Sequence, residues 1–332
     1  MPLSAFLRSL RSILTHPSRL PEYNFDCAAL SLFDSRGMTM NGAQQPEGRS
    51  RYVLKAPPVA PSTCDRSELL SFSPAEVPAL DVDVGNQTVI SVLGSDADNY
   101  TVRFRAQAGG ATEDEARRAL EKIALTRVGP RLSVSTPTYS RERPTNAWLH
   151  IDAARNRPVT LNGRYSYMEL FGIDATVRVS TTHARIKLID VAGDVQATAR
   201  VGAIDFAGNR GQIQLTADGE IGEINLKVAA QRFEGTLEAE ADVAIRVLLP
   251  PGFESPFEAT VDRADLFVCR ADMARSVRRR HDRDGAAVFS YGRGKPVLRL
   301  VSHGALVIDS TEGVAVGVRQ ELAVKHAHTT AG

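Results

Sequence analysis

Four carboxylates are the first residues in this chain whose type and spacing could do chemistry. Asp190, Asp194, Asp205 and Asp218 fall at the expected corners between short apolar runs. Glycosidic bond cleavage needs two carboxyl groups held roughly 5–10 Å apart, and neighbouring strands, about 4.8 Å apart, could supply that separation. Asp is equally a standard corner residue, because its side chain bonds its own backbone. The region also lacks the long loops that wall a substrate groove. The four carboxylates are therefore expected on the outside, solvated and apart, and no catalytic residue is assigned.

The second candidate is a run of cations: Arg275, Arg278, Arg279, Arg280 and Arg283, with Asp282 and Asp284 among them. Guanidinium forks grip phosphate or uronate groups, so this is the one anion-contact cluster the sequence offers. Its alternative is a solvated loop inserted before the last strands, Ala286 to Ile308. Aromatic residues, on which single-stranded nucleic acid would stack, are not interleaved with it. The net charge of +1 and pI of about 7.8 give no global field to attract nucleic acid, so no such partner is expected.

Metal and thiol chemistry have weaker footing. Among seven histidines only His326 and His328 lie close together, in the last residues. His183 falls in a predicted corner, and His150 and His303 have no evident partner along the chain. Cys27, Cys64 and Cys269 form neither a C-x-x-C pair nor a disulfide framework. They read as three unpaired thiols, or as one Cys27–Cys64 bridge in an exported protein. There is no G-x-S-x-G, P-loop or H-E-x-x-H motif. Neither a metal nor an organic cofactor is expected.

The elements that would position these residues follow from periodicity. Leu3, Phe6, Leu7, Leu10, Ile13 and Leu14 recur at helical spacing, interrupted by Arg8 and Arg11. Residues 1–15 thus read as a basic amphipathic helix, able to touch a membrane surface or to cap another element, and not as a clean secretory signal. Residues 21 to about 75 show little periodicity, and Pro57, Pro58 and Pro61 suggest a linker. Alternation with a period of two starts at Leu80, Val82 and Val84 and returns at Tyr100, Val102, Phe104 and Ala106. Between Gly109-Gly110 and Gly129-Pro130, Thr112 and Glu115 form a capping box for a helix over 113–124. The order across 98–136 is strand, helix, strand.

From about residue 160 the strands shorten and glycine punctuates them. Gly172, Gly193, Gly211 and Gly235 stand 21, 18 and 24 residues apart. A repeat near 20 residues with two short strands each is the mark of a β-solenoid, whose units share a core that none could bury alone. Small residues such as Ala175, Ala184, Ala197 and Ala199 suit a narrow interior. An antiparallel sandwich with hairpins at similar spacing is the alternative. The fold class is thus mainly β, a β-solenoid with one short helix near its N-terminal end. Its expected divisions are residues 1–75, 76–312 and a tail over 313–332.

Three blocks carry a resemblance to a known family. They are YTVRFRAQAGGATEDEARRALEKIALTRVGPRLSVS (100–135), the glycine-spaced GIDATVRVSTTHARIKLIDVAGDVQATARVGAIDFAGNRGQIQL (172–215) with VAIRVLLPPGFE (243–254), and GRGKPVLRLVSHGALVIDS (292–310). Over about 78–312 the chain resembles the bacterial putative-adhesin domains. It departs from their usual Asn-Gly corners at Thr182-His183-Ala184. The resemblance implies a β-solenoid of the cell envelope or surface that binds an unidentified protein or glycan without catalysis. The rival functions are a scaffold that self-associates end to end and, behind it, a polysaccharide-active enzyme.

Overall fold

A computed structural model describes residues 62–73, 75–97, 99–137, 145–282 and 284–311. The chain divides into two units, Met1–Ala56 and Pro57–Gly332. The first lies wholly outside the described residues, as do Cys27, the amphipathic segment 1–15 and the tail histidines. Among the described residues the second unit is mainly β, with one short helix and one large sheet of mixed parallel and antiparallel pairing.

The unit opens with strands β1 (Ser62–Phe72), β2 (Leu80–Ser95) and β3 (Tyr100–Gly110), helix α1 (Glu113–Leu120), and strands β4 (Ala124–Val128), β5 (Arg131–Ser135) and β6 (Thr145–Ala154). β1 falls where the sequence suggested linker. It pairs antiparallel with β3 along its full length, from Ser62 opposite Gly110 to Phe72 opposite Tyr100. Its alternation is concealed because Arg66 and Glu68, on the same side as Cys64, Leu70 and Phe72, are charged, while Leu69 on the other side is apolar and exposed.

The capping box forms at Thr112. Its Oγ1 accepts from the Glu115 amide at 3.3 Å, and the Glu115 carboxylate accepts from the Ala111 amide at 3.1 Å. Ala116, Ala119 and Leu120 are the buried face of α1. The helix stops at Leu120, four residues short of the expected end. Gly129, with φ of 59°, turns the antiparallel hairpin β4–β5 instead of ending the helix.

The middle of the unit comprises β7 (Val159–Phe171), β8 (Val177–Ile189), β9 (Asp194–Ala207), β10 (Arg210–Ala217), β11 (Glu223–Lys227), β12 (Glu234–Ala241) and β13 (Ala244–Leu249). Every pairing among them is parallel, which an antiparallel sandwich would not give. The strands form two ladders. In the first, Leu80, Val159, Val177, Val195, Ile213 and Leu237 are successive partners. In the second, Ile90, Met168, Ile186, Ile204, Ile224 and Ile245 are. β2, β7, β8 and β9 are long enough to serve both ladders, and later each ladder takes its own strand.

All twelve of these residues are buried in one continuous core. Each such side chain contributes on the order of 1.5–3 kcal/mol by leaving water. From β7 to β13 the partners of one residue come from segments 18 to 24 residues apart, so each of these elements has a neighbour supplied by the next stretch of sequence, whereas β2 lies about 80 residues before its partner β7.

Glycine is required where successive segments touch. Gly193 has φ of 91°, and a Cβ there would stand 2.4 Å from the Ala175 carbonyl oxygen. At Gly235 a Cβ would meet the Gly211 carbonyl oxygen at 2.1 Å.

The last third departs from sequence order. It holds β14 (Phe257–Val261), β15 (Phe267–Cys269), β16 (Arg278–His281), β17 (Ala287–Tyr291), β18 (Leu298–Ser302) and β19 (Ala305–Ser310). β18 lies parallel between β12 and β14, and β19 between β13 and β15. The C-terminal pair is therefore not the terminal layer; it inserts one layer inside β14 and β15. β17 adds antiparallel to β14, and β16 to β17. Phe289 of β17 stacks on Phe267 of β15 with centroids 3.9 Å apart, joining the two ladders at this end.

Candidate functional site

Side chains that alternate with the core residues form the outer surface of each ladder. On the second ladder, Glu169, Lys187, Asp205 and Asn225 are successive partners. They satisfy one another. Lys187 stands 3.5 Å from Glu169, Arg185 3.4 Å from Asp205, and the Asn225 amide donates to Asp205 at 2.8 Å. The Tyr167 hydroxyl donates to Glu169 at 2.9 Å, and burial, then that carboxylate, push its pKa up.

The first ladder differs. Its outer surface carries two rows in register. One runs Thr160, Arg178, Gln196, Gln214, Glu238, Arg299 and the other Asn162, Ser180, Thr198, Thr216, Glu240, Val301. The first row is mostly long side chains and the second mostly short ones, so the second floors a trough running across the strands. The next outward residues on the far side are Arg164, Thr182, Arg200, Asp218, Asp242 and His303.

Within the trough Ser180 donates to Asn162 at 2.8 Å and Gln196 to Gln214 at 3.2 Å. Among the described residues the Thr198 and Thr216 hydroxyls have no protein partner, and both are partly exposed. A shallow depression of about 240 Å³ deepens the trough over β10, β12 and β18, lined by Gln214, Thr216, Glu238, Glu240, Arg299 and Val301. Arg299 stands 3.8 Å from Glu238, and His303 bridges Glu240 at 3.9 Å and Asp262 at 3.2 Å. Neutral donors and acceptors with scattered charges of both signs suit a polar, extended ligand lying across the strands.

The four carboxylates raised by the sequence are not brought together. Asp194 sits on the first ladder, paired with Arg178 at 2.6 Å; that guanidinium holds its carboxyl below the usual aspartate value. Asp205 is on the second ladder. Asp190 and Asp218 are exposed corner residues, and Asp190 adopts a φ of 53°. No two of the four are strand partners.

The arginine cluster is partly assembled, and not as a loop. Arg278, Arg279 and Arg280 lie on β16, an exposed edge strand, and Arg275 lies on a 3₁₀ turn, Asp272–Ser276. Arg283 lies outside the described residues. Arg280 pairs with Glu258 at 2.9 Å, and Arg278 donates to the Gly292 carbonyl at 3.0 Å.

His183 stacks on Tyr165, centroids 4.5 Å apart, with Arg164 5.6 Å over the tyrosine ring. His150 pairs with Asp152 at 3.2 Å, a same-face i, i+2 contact that strand alternation could have signalled. Cys64 and Cys269 are free thiols, and burial raises the Cys269 pKa. Among the described residues no helix is long and apolar enough to cross a membrane.

The trough itself was not legible beforehand. Its residues are ordinary Thr, Gln and Ser, and only the register makes them a row.

The sequence matches no family model and no curated protein. Solved bacterial structures are similar over most of the chain. A putative cell adhesion protein from Clostridium sporogenes shares 9% identity, covering 74% of this chain and 99% of that one, with a TM-score of 0.29. A putative adhesin from Bacteroides fragilis shares 9% identity over 75% of this chain and 97% of that one, at a TM-score of 0.29. One from Parabacteroides merdae shares 8%, over 74% and 96%, at a TM-score of 0.31. Identities and TM-scores this low leave the functional reading to the chain's own residues.

Proposed function

We propose that Pro57–Gly332 is a non-enzymatic β-solenoid module of the cell surface or envelope that binds its partner along the trough of the first ladder. The solenoid reading rests on the two parallel ladders, whose partners recur at steps of 18 to 24 residues from β7 to β13. α1 at one end and the Phe267–Phe289 stack at the other are its caps. The binding reading rests on one observation: the in-register row Asn162, Ser180, Thr198, Thr216, flanked by long polar side chains, with two hydroxyls left for a ligand. A linear glycan suits it, since its repeated hydroxyls can meet polar groups repeated at the strand spacing of about 4.8 Å.

The test is binding of the full chain to arrayed bacterial glycans, alongside Thr198→Arg and Thr216→Arg, whose long side chains fill the trough from outward positions. Binding lost in both, with melting temperature kept, is the expected result. Binding indifferent to both substitutions overturns the site. Release of reducing ends from a bound glycan overturns the non-enzymatic reading.

A further inference from the structure

The geometry of β16 points to a second interaction surface, separate from the trough: we infer that β16 accepts an extended acidic peptide segment of a partner protein as an added strand. Two independent features meet there. The first is the backbone. β16 pairs only with β17 among the described residues. In an antiparallel pair, half of each strand's amide and carbonyl groups point away from its partner, so those of β16 are offered to a further strand.

The second is charge. All four residues of β16, Arg278 to His281, are exposed, and so are Arg275, Arg293 and Lys295. The Arg278 bond to the Gly292 carbonyl brings the turn carrying Arg293 and Lys295 beside the strand. The nearby carboxylates are engaged: Glu258 holds Arg280, and Asp282 accepts from the amides of Asp284 and Ala286, closing the hairpin turn. Among the described residues Arg275, Arg278, Arg279, Arg293 and Lys295 have no carboxylate partner.

The alternation of β16 sets the ligand's chemistry. Arg278 and Arg280 lie on the outer side of the first ladder, in line with Ser290 and Val288, while Arg279 lies on the opposite side, in line with Phe289. An anionic polymer lying on one side would miss the strand's cations on the other. A strand added at the edge projects side chains to both sides, so a segment with Asp or Glu at most of about five positions presents carboxylates to Arg278 and to Arg279 alike. Arginine forks donate to such carboxylates two bonds at a time. Charges on an edge strand also deter pairing with a second, equally basic copy, which makes an acidic partner the complement.

The probe is a labelled eight-residue peptide, Glu-Glu-Thr-Glu-Glu-Thr-Glu-Glu, which presents carboxylates on both sides of an extended strand, titrated by fluorescence anisotropy against the full chain. Its control has the same sequence, N-methylated at every residue, so that neither edge can pair. The charge is unchanged, but the amides that pair with an edge are blocked. We expect saturable binding, weakened at least tenfold by N-methylation and by raised salt, weakened about two- to fivefold by Arg279→Gln, and lost in the double variant Arg278→Glu, Arg279→Glu. Equal binding of both peptides overturns strand addition. So does tighter binding of polygalacturonate than of the peptide, which would assign the surface to an anionic glycan. If the double variant fails to fold, the comparison of the two peptides on the unaltered chain still decides.

Discussion

Replacing Gly193 by alanine tests the contact between successive segments more sharply than any core truncation, because a matched control exists. Gly193 has φ of 91° and Gly294 φ of 93°. Forcing an L residue into that region costs about 1–2 kcal/mol at either site. The surroundings differ. The new Cβ at Gly294 meets nothing within 4 Å, whereas at Gly193 it stands 2.4 Å from the Ala175 carbonyl oxygen and 2.9 Å from its carbon. Backbone cannot swing aside as a flexible side chain can. Relief requires parting the segments, which strains the bonds from the Ala192 amide to Ile173 at 2.8 Å and from the Gln212 amide to Gly193 at 2.7 Å.

Weakening one or two buried hydrogen bonds adds about 1–3 kcal/mol. Gly193→Ala should therefore be destabilised by about 2 kcal/mol more than Gly294→Ala. At about 2–4 °C per kcal/mol for a unit of this size, that is an additional fall of roughly 4–8 °C in melting temperature, read by circular dichroism in the β region. Equal melting temperatures for the two variants would refute the close approach of the two segments.

Other outcomes rest on the same registers. Ile186 is fully buried, so Ile186→Asp places an unpaired carboxylate in the core and should cost several kcal/mol, abolishing the cooperative melt; Lys187→Gln, facing outward, should stay within about 0.5 kcal/mol in urea titration. A chain beginning at Pro57 should melt cooperatively, while one beginning at Ser71, which lacks most of β1, should melt roughly 10 °C lower, since Leu70 is lost and the support of Phe72 and of α1 is weakened. By NMR titration Asp194 should titrate below the ordinary aspartate value and return to it in Arg178→Gln. Because its folded pKa is depressed, this pairing stabilises above the unfolded value and fades as pH falls through the folded one, so the two proteins' stabilities should converge in acid.

Much of the fold was legible because its signals are local. Strand alternation, the Thr112–Glu115 cap and the glycines at 193, 211 and 235 each report a constraint satisfied by nearby residues. What was hidden depended on partners far away in sequence. β1 was concealed by Arg66 and Glu68 on its inward side, and its burial comes from β3 and α1. The place of β18 and β19 inside β14 and β15 leaves no trace in spacing, since an apolar strand reads the same in either layer. The site behaved likewise. Arg278–Arg280 stood out as a charge run, but that they form an edge strand depends on pairing with Ala287–Tyr291, and Thr198 and Thr216 become a row only through register.

The stacked arrangement with its inserted layer is tested most directly by a pair of distances between spin labels, with Cys27, Cys64 and Cys269 replaced by serine. Asp83, Asn162, Ser180, Thr198, Thr216, Glu240, Val301 and Thr260 are successive partners along one row. At about 4.8 Å per step, a label at Asp83 should lie about 29 Å from one at Val301 and about 34 Å from one at Thr260. Stacking in sequence order would reverse the two, placing Val301 farther than Thr260. Thr260 measured as the more distant is the predicted result, and Val301 measured as the more distant would contradict the account.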